Sequence, residues 1–273
     1  MATSGCTAFT PGLWHGLAEG DTAVSGHSHW SGIKHKKGLA DAKRGREFSK
    51  LGKAIMAAAR TGGGDADSNL KLRYAIDKAK AANMPKETIE RAILKGTGQL
   101  EGQVLEELVY EGYGPSGVAM MLDVLTDNRN RAASELRKLF DVHGGNLAGS
   151  GAVAWMFQSK GFIRIKKDAI GEDQMMELAL EAGADDVQVQ IDAYEVTCAP
   201  ADFGTVRNAI MARGITPESA DITKIPQNTV KLEDNAARKV LRLMEELEDH
   251  EDVQNVYANF ELSDKLTAEL SAE

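Results

Sequence analysis

Hydrophobic and polar positions alternate along this chain with three successive rhythms. From Asp41 to Thr61 the period is helical: at 100° per residue Phe48, Leu51, Ile55, Ala58 and Ala59 share one face. Lys43, Arg46, Lys50, Lys53 and Arg60 fall on the other, which predicts one packing side and one continuous row of cations. Gly62-Gly63-Gly64 stops this helix. Asp67 or Ser68 is expected to cap a second helix running to Asn83, with Leu72, Ala75, Ile76 and Ala79 inward. Pro85 suits the first turn of a third, which turns Ile89, Ala92 and Ile93 inward and ends at Gly96. Three amphipathic helices with short connections predict a small bundle.

After Gly96 the period shortens. Leu105 to Tyr113 and Val118 to Thr126 read as strands joined by a Gly-Pro-Ser-Gly turn. A helix from Asn128 to Val142 and a strand from Val153 to Phe157 follow. Next comes a β-α-β-β-α-β rhythm: strands near Phe162, Val187, Tyr194 and Ala220, helices over 173–182 and 201–213. That order is the ferredoxin-like arrangement. A strand from Thr229 to Leu232, a helix from Asn235 to Glu248 and a strand from Val253 to Leu262 close the pattern. The reading is therefore α+β and multidomain, with an N-terminal three-helix bundle and two α/β sandwich-like domains, one ferredoxin-like and inserted in the other. The expected boundaries are a disordered extension over 1–25, a basic helical domain over 26–100, a discontinuous domain from 101–157 and 228–265, an insert over 158–227 and a tail over 266–273. The extension has no lysine or arginine, so it resembles neither a transit peptide nor the basic start of a secretory signal. One expectation is that translation begins at Val24, which an intact mass would check.

Charge changes the picture more than composition does. The whole chain carries −9, which by itself argues against a nucleic-acid partner. Between Gly26 and Lys95, however, 16 lysines and arginines face 7 acidic residues, a net +9. Residues 96–273 hold 16 basic and 32 acidic residues, a net −16. Such asymmetry speaks about partners, not fold. Cys6 and Cys198 lie far apart without a pairing pattern, which fits a reducing compartment, and no apolar run is long enough to span a bilayer. The expected location is cytoplasmic, with no membrane partner.

Catalytic chemistry leaves no local trace. His27, His29 and His35 are close together, but no cysteine joins them and the surrounding lysines raise the energy of adding a cation, so no metal is expected. The triple glycine follows a helix rather than a strand and lacks the Lys-Ser/Thr of a phosphate loop. There is no G-x-S-x-G, and Cys198 ends an apolar strand. No catalytic residue, cofactor or small-molecule substrate is expected, and an enzyme with a site assembled across domains, which leaves no local motif, is the remote alternative.

The basic segment does hold what nucleic-acid binding requires. Aligned cations release counterions from phosphates and give salt-sensitive affinity independent of sequence. The candidate contacts are His27, His29, Trp30, Lys34, His35, Lys36, Lys37, Lys43, Arg44, Arg46, Lys50, Lys53 and Arg60. Trp30 either anchors the arm or stacks on an unpaired base, an interaction of about 1–3 kcal/mol. The exposed side chains are lysine and arginine with little asparagine or glutamine, so they suit a backbone or a shape better than base edges. That leaves DNA and RNA both open.

These residues also carry a resemblance. Gly26-His27-Ser28-His29-Trp30, Asp41-Ala42-Lys43-Arg44-Gly45 and Phe48-Ser49-Lys50-Leu51 resemble the opening of the YebC/PmpR family, which includes the mitochondrial translational activator of cytochrome oxidase. The likeness continues through Asn83-Met84-Pro85, Lys95-Gly96-Thr97-Gly98, Tyr110-Glu111-Gly112-Tyr113-Gly114-Pro115, Thr126-Asp127-Asn128-Arg129-Asn130-Arg131, Ala154-Trp155-Met156-Phe157 and Val253-Gln254-Asn255-Val256-Tyr257. It covers roughly 25–262 and departs at His29, where the family pattern has lysine. The resemblance implies a helical N-terminal domain with two α/β domains. It implies either of two functions: a DNA-binding transcriptional regulator, or a ribosome-associated translation factor that binds rRNA or tRNA and assists elongation through proline-rich stretches.

Overall fold

The computed structural model describes residues 41–269 except 103, 191, 264 and 268, with side chains from residue 44 onward. Helix α1 (Asp41–Gly62) buries Ile55, Ala58 and Ala59. It ends where Gly63 takes φ +84° and its N–H reaches the Ala59 carbonyl at 2.9 Å. Helix α2 (Leu70–Ala81) is capped by Asn69, one or two residues later than the pattern predicts. Asn69 is buried. Its carbonyl oxygen accepts from Leu72 N at 3.1 Å, while its amide donates to the Ala58 and Gly63 carbonyls at 2.9 Å each. One side chain thus starts α2 and seals the end of α1, which Asp67 or Ser68 would be too far out to do. Helix α3 (Lys86–Gly96) begins after Pro85 and buries Ile89 and Ala92. The three helices share one core with Leu72, Ala79 and Met84.

Strands β1 (Glu106–Tyr113) and β2 (Ala119–Thr126) pair antiparallel, from Glu106 opposite Thr126 to Tyr113 opposite Ala119. Helix α4 (Arg129–Val142) leads to β3 (Asn146–Ala148), a short strand on the outer edge of β1 that the sequence pattern did not announce. The chain then builds β4 (Phe157–Lys166), α5 (Glu172–Ala182), β5 (Asp186–Val189), β6 (Ala193–Cys198), α6 (Phe203–Ala212) and β7 (Ser219–Pro226). It continues with β8 (Val230–Lys231), α7 (Asp234–Asp249), β9 (Val253–Ala258) and β10 (Phe260–Glu261). The fold is α+β and multidomain. One antiparallel sheet has the order β3-β1-β2-β9, and a second has β5-β6-β4-β7, the ferredoxin-like order.

Strand β2 is central in its sheet and buried on both faces. Met120, Leu122 and Val124 pack against Leu136 and Phe140 of α4 and Val240, Leu243 and Leu247 of α7. Ala119 and Met121 turn to the other side, against Val153, Phe157 and Tyr257.

The segment expected as a strand from Val153 to Phe157 is instead a turn, with a 3-10 step over Ala154–Met156 before β4 begins. The buried Glu111 carboxylate accepts the N–H groups of Gly151, Val153 and Ala154 at 2.6, 2.7 and 2.8 Å, so those donors cannot enter a ladder. The closing strand is likewise interrupted. Asn259 Oδ1 accepts from Ala119 N at 2.7 Å and its carbonyl accepts from Val230 N at 2.8 Å, which ends β9 and hands the chain to β8 as β10.

Candidate nucleic-acid interface

Helix α1 presents its polar side in two parts. From near its N-terminus to just past its middle, Arg46, Lys50 and Lys53 point at the end of α7 and the acidic turn that follows. Arg46 reaches Asp249 at 3.4 Å, and Lys50 donates to the Glu248 carbonyl. Lys53 donates to the Glu251 carbonyl at 3.2 Å and to Asp252 Oδ1 at 2.5 Å. A helix C-terminus offers unsatisfied carbonyls at the negative end of its dipole, which suits lysine. The expected continuous row of cations is therefore divided: these three are already engaged by the rest of the chain.

Asp252 is the fixed point of that contact. It is fully buried and accepts from Lys53, from Arg131 at 2.8 Å and from Thr126 Oγ1 at 2.9 Å. Burial is the largest influence on its carboxyl and pushes its pKa up. The hydrogen bonds from Lys53, Arg131 and Thr126 outweigh burial and hold it below the ordinary aspartate value. Two more cations of the helical domain turn the same way: Lys71 meets Glu107 at 2.6 Å and Lys78 meets Asp221 of β7 at 2.7 Å. Tyr74 packs edge-on to Phe203 of α6 with ring centroids 6.0 Å apart.

At the other end of α1 the situation is reversed. Arg60 is exposed and lines an open cleft of about 500 Å³ between the ends of α1 and α3 and the segment leading to β1. Lys95 stands on the opposite lip, with Met56, Ala59 and Leu100 as apolar wall. Gly96 lies against α1 so closely that a Cβ there would stand 2.5 Å from the Met56 carbonyl oxygen. Arg91, one turn before Lys95 on the outward side of α3, is exposed as well. Arg44, Arg60, Lys80, Arg91 and Lys95 make no ion pair with a described residue.

Of the residues singled out in the sequence, His27, His29, Trp30, Lys34, His35, Lys36 and Lys37 lie outside the described residues. Lys43 lies on α1, with its side chain outside the description. Arg44 and Arg60 are exposed, Arg46 is exposed and paired, and Lys50 and Lys53 are partly buried against the acidic turn. Sequence reasoning missed Lys95 as a neighbour of Arg60 at the cleft, and Arg91 as a further exposed cation of α3. The inward stripe of Ile89 and Ala92 carried the signal, since it forces Arg91 and Lys95 outward. Among the described residues no group of histidine, cysteine and carboxylate side chains is arranged to hold a metal, and no helix is long and apolar enough to cross a membrane.

Comparison with known proteins adds an independent line. Residues 28–99 match the TACO1/YebC protein N-terminal domain, and residues 105–260 match the TACO1/YebC second and third domain. A "probable transcriptional regulatory protein" of Syntrophobacter fumaroxidans is 57% identical over 244 residues, covering 89% of this chain and 98% of the relative. A protein of the same description from Dictyoglomus turgidum is 52% identical over 249 residues, covering 91% and 100%. Among solved structures, a conserved hypothetical protein from Aquifex aeolicus is similar with a TM-score of 0.78 and 46% identity, covering 86% of this chain and 98% of the other.

Proposed function

Because the chain belongs to the TACO1/YebC family, we propose that it is a cytoplasmic regulator of gene expression that binds nucleic acid through its basic helical domain. The relatives' description as probable transcriptional regulatory proteins supports regulation in general. The observation that carries nucleic-acid binding is the set of outward cations of α1 and α3: Arg60 and Lys95 line the cleft, Arg91 is exposed one turn before Lys95, and none has an acidic partner among the described residues, in the net-positive segment of the chain. Arg44, at the opposite end of α1, and the basic residues of 26–40 supply the remaining phosphate contacts, with Trp30 as a stacking residue.

RNA on the ribosome is favoured over extended duplex DNA by two features. The outward side of α3 alternates Lys86, Glu87, Glu90, Arg91 and Lys95, a pattern unsuited to lying in a major groove. The body behind it, at −16, repels a long duplex. The double variant Arg60→Glu/Lys95→Glu tests the surface. Binding to ribosomal RNA or duplex DNA should weaken, and the slope of log affinity against log salt should fall by roughly one per phosphate contact removed. Unchanged affinity and slope would remove this surface from the reading. Sedimentation with ribosomes at low salt, abolished at high salt, separates the RNA reading from the DNA reading.

A further inference from the structure

We propose that the acidic end of α7 with the turn after it, residues 248–252, is an internal competitor for nucleic acid, so that the helical domain is docked on the body in the free protein and released when a polyanion takes its cations. The proposal rests on the reading above, since it concerns the same domain.

Three observations carry it. First, among the described residues, the side-chain hydrogen bonds and ion pairs that join the helical domain to the body all come from its cations. Arg46, Lys50, Lys53, Lys71 and Lys78 of the helical domain all end on carboxylates or carbonyls of the body. The apolar core of the three helices contains no residue from the rest of the chain, and the core of the first sheet contains none from the helices. Tyr74 on Phe203 is the aromatic exception. The exposed pairs among these, Arg46–Asp249, Lys71–Glu107 and Lys78–Asp221, are weakened by salt and competing anions, and the covered pair Lys53–Asp252 is screened less.

Second, the groups that hold Lys50 and Lys53 offer what a nucleic-acid backbone offers, oxygen acceptors spaced along an acidic strand. They occupy part of the row that the helix pattern marks out for phosphates. Third, undocking leaves no stranded charge. Asp252 keeps Arg131 and Thr126 when Lys53 departs, and Arg131 keeps Asp127 as well. The lysines leave toward phosphates rather than toward an apolar medium. Docking and nucleic-acid binding on this face are mutually exclusive, so the affinity measured for the whole chain is reduced by the fraction docked.

The test uses the full chain with spin labels on Thr88→Cys and Val142→Cys, both exposed, in a Cys6→Ser background; Cys198 is buried. The label distance is measured with and without polyuridylate at low salt, and binding is followed in the same samples. A second arm compares Asp249→Asn/Glu251→Gln with a control of equal charge change, Glu172→Gln/Asp173→Asn on the inserted domain. The expected result is a longer or broader distance on binding, and an affinity about two- to fivefold tighter for the first variant than for the control, the range of one exposed ion pair, Arg46–Asp249, with a further charge removed beside Lys53. Binding by the Asp249 variant alone, with none by the natural chain, supports the proposal in its strongest form. Binding with an unchanged distance, and equal affinity in both variants, overturns it while leaving the nucleic-acid reading intact. No binding by any of these proteins overturns both.

Discussion

Replacing Glu111 with glutamine removes one charge and one acceptor from the side chain that holds the loop over 151–154. The carboxylate serves three donors: Oε1 takes Gly151 N at 2.6 Å, and Oε2 takes Val153 N and Ala154 N at 2.7 and 2.8 Å. A glutamine amide keeps one oxygen. The better orientation leaves that oxygen on Val153 and Ala154 and turns an NH2 group against the Gly151 N–H. One charge-assisted bond, worth about 1.5–3 kcal/mol, is lost, and two others become neutral at about 1 kcal/mol less each. The neutral amide recovers part of this, because it is easier to bury than a carboxylate. The expected loss is about 2–4 kcal/mol.

The pH dependence gives a second readout. Burial pushes the Glu111 pKa up, but the three backbone N–H bonds outweigh it and hold the value below the ordinary glutamate range. A depressed folded pKa contributes stability that is fully present above the unfolded value, near 4.3, and is lost as pH falls through the folded value. The natural chain and Glu111→Gln should therefore converge as pH drops below about 4 and differ fully at neutral pH. Urea unfolding followed by Trp155 fluorescence, in a Trp14→Phe/Trp30→Phe background, reports on this loop directly. A loss under about 0.5 kcal/mol, or a gap that stays constant with pH, would refute the reasoning.

Two further outcomes follow from close packing and buried charge. Gly145→Ala puts a Cβ 2.5 Å from the Tyr113 carbonyl oxygen and 3.1 Å from the Phe140 ring, so a melting curve should show a loss of about 1–3 kcal/mol; an unchanged midpoint would mean that the β3 edge yields freely. Arg164 is buried among Glu195 at 2.6 Å, Asp192 at 2.7 Å and Glu218 at 3.2 Å, and Arg164→Met should destabilise the inserted domain by about 3–5 kcal/mol. Burial raises the Glu195 pKa even with its arginine present, so its contribution is fully present below the ordinary glutamate value and is lost as pH rises through the raised one. Without Arg164 the rise is larger, and the variant's deficit in denaturant titrations should shrink on acidification; a deficit independent of pH would count against Glu195 as its source.

How much of this was legible in the sequence depended on how far apart the cooperating residues lie. The inner stripe of α1 and the alternation that gives β4 through β7 are local patterns, and local sterics enforce them. The turn over 152–156 was not legible, because its donors are satisfied by Glu111 some 40 positions earlier and nothing in Val-Ala-Trp-Met itself forbids a strand. Strand β3 is three residues between glycines, too short to show a period. The break at Asn259 depends on a side chain that reaches Ala119 N across 140 positions. For the candidate site, the helical wheel separated the cations from the core but could not say what covers them. Lys53 and Asp252 lie 199 positions apart, and only folding brings them together. Arg60 was legible for the opposite reason: its surroundings at the cleft come from α3 and the segment just after it.

The order of strands in the first sheet has a consequence for synthesis. Strand β2 leaves the ribosome with one partner, β1, while its other edge waits for β9, whose Ala258 pairs with Met120 across 138 positions. In that interval the ferredoxin-like unit has all four of its strands and both of its helices contiguous in the chain and can fold first, while Met120 and Leu122 have only α4 to cover them until α7 arrives. The nascent protein thus passes through a stage with a finished middle and an open, apolar edge. Lengthening the dwell between β7 and β9, or truncating the chain before Val253, should convert that stage into aggregate even though every residue of the basic helical domain and the insert is present.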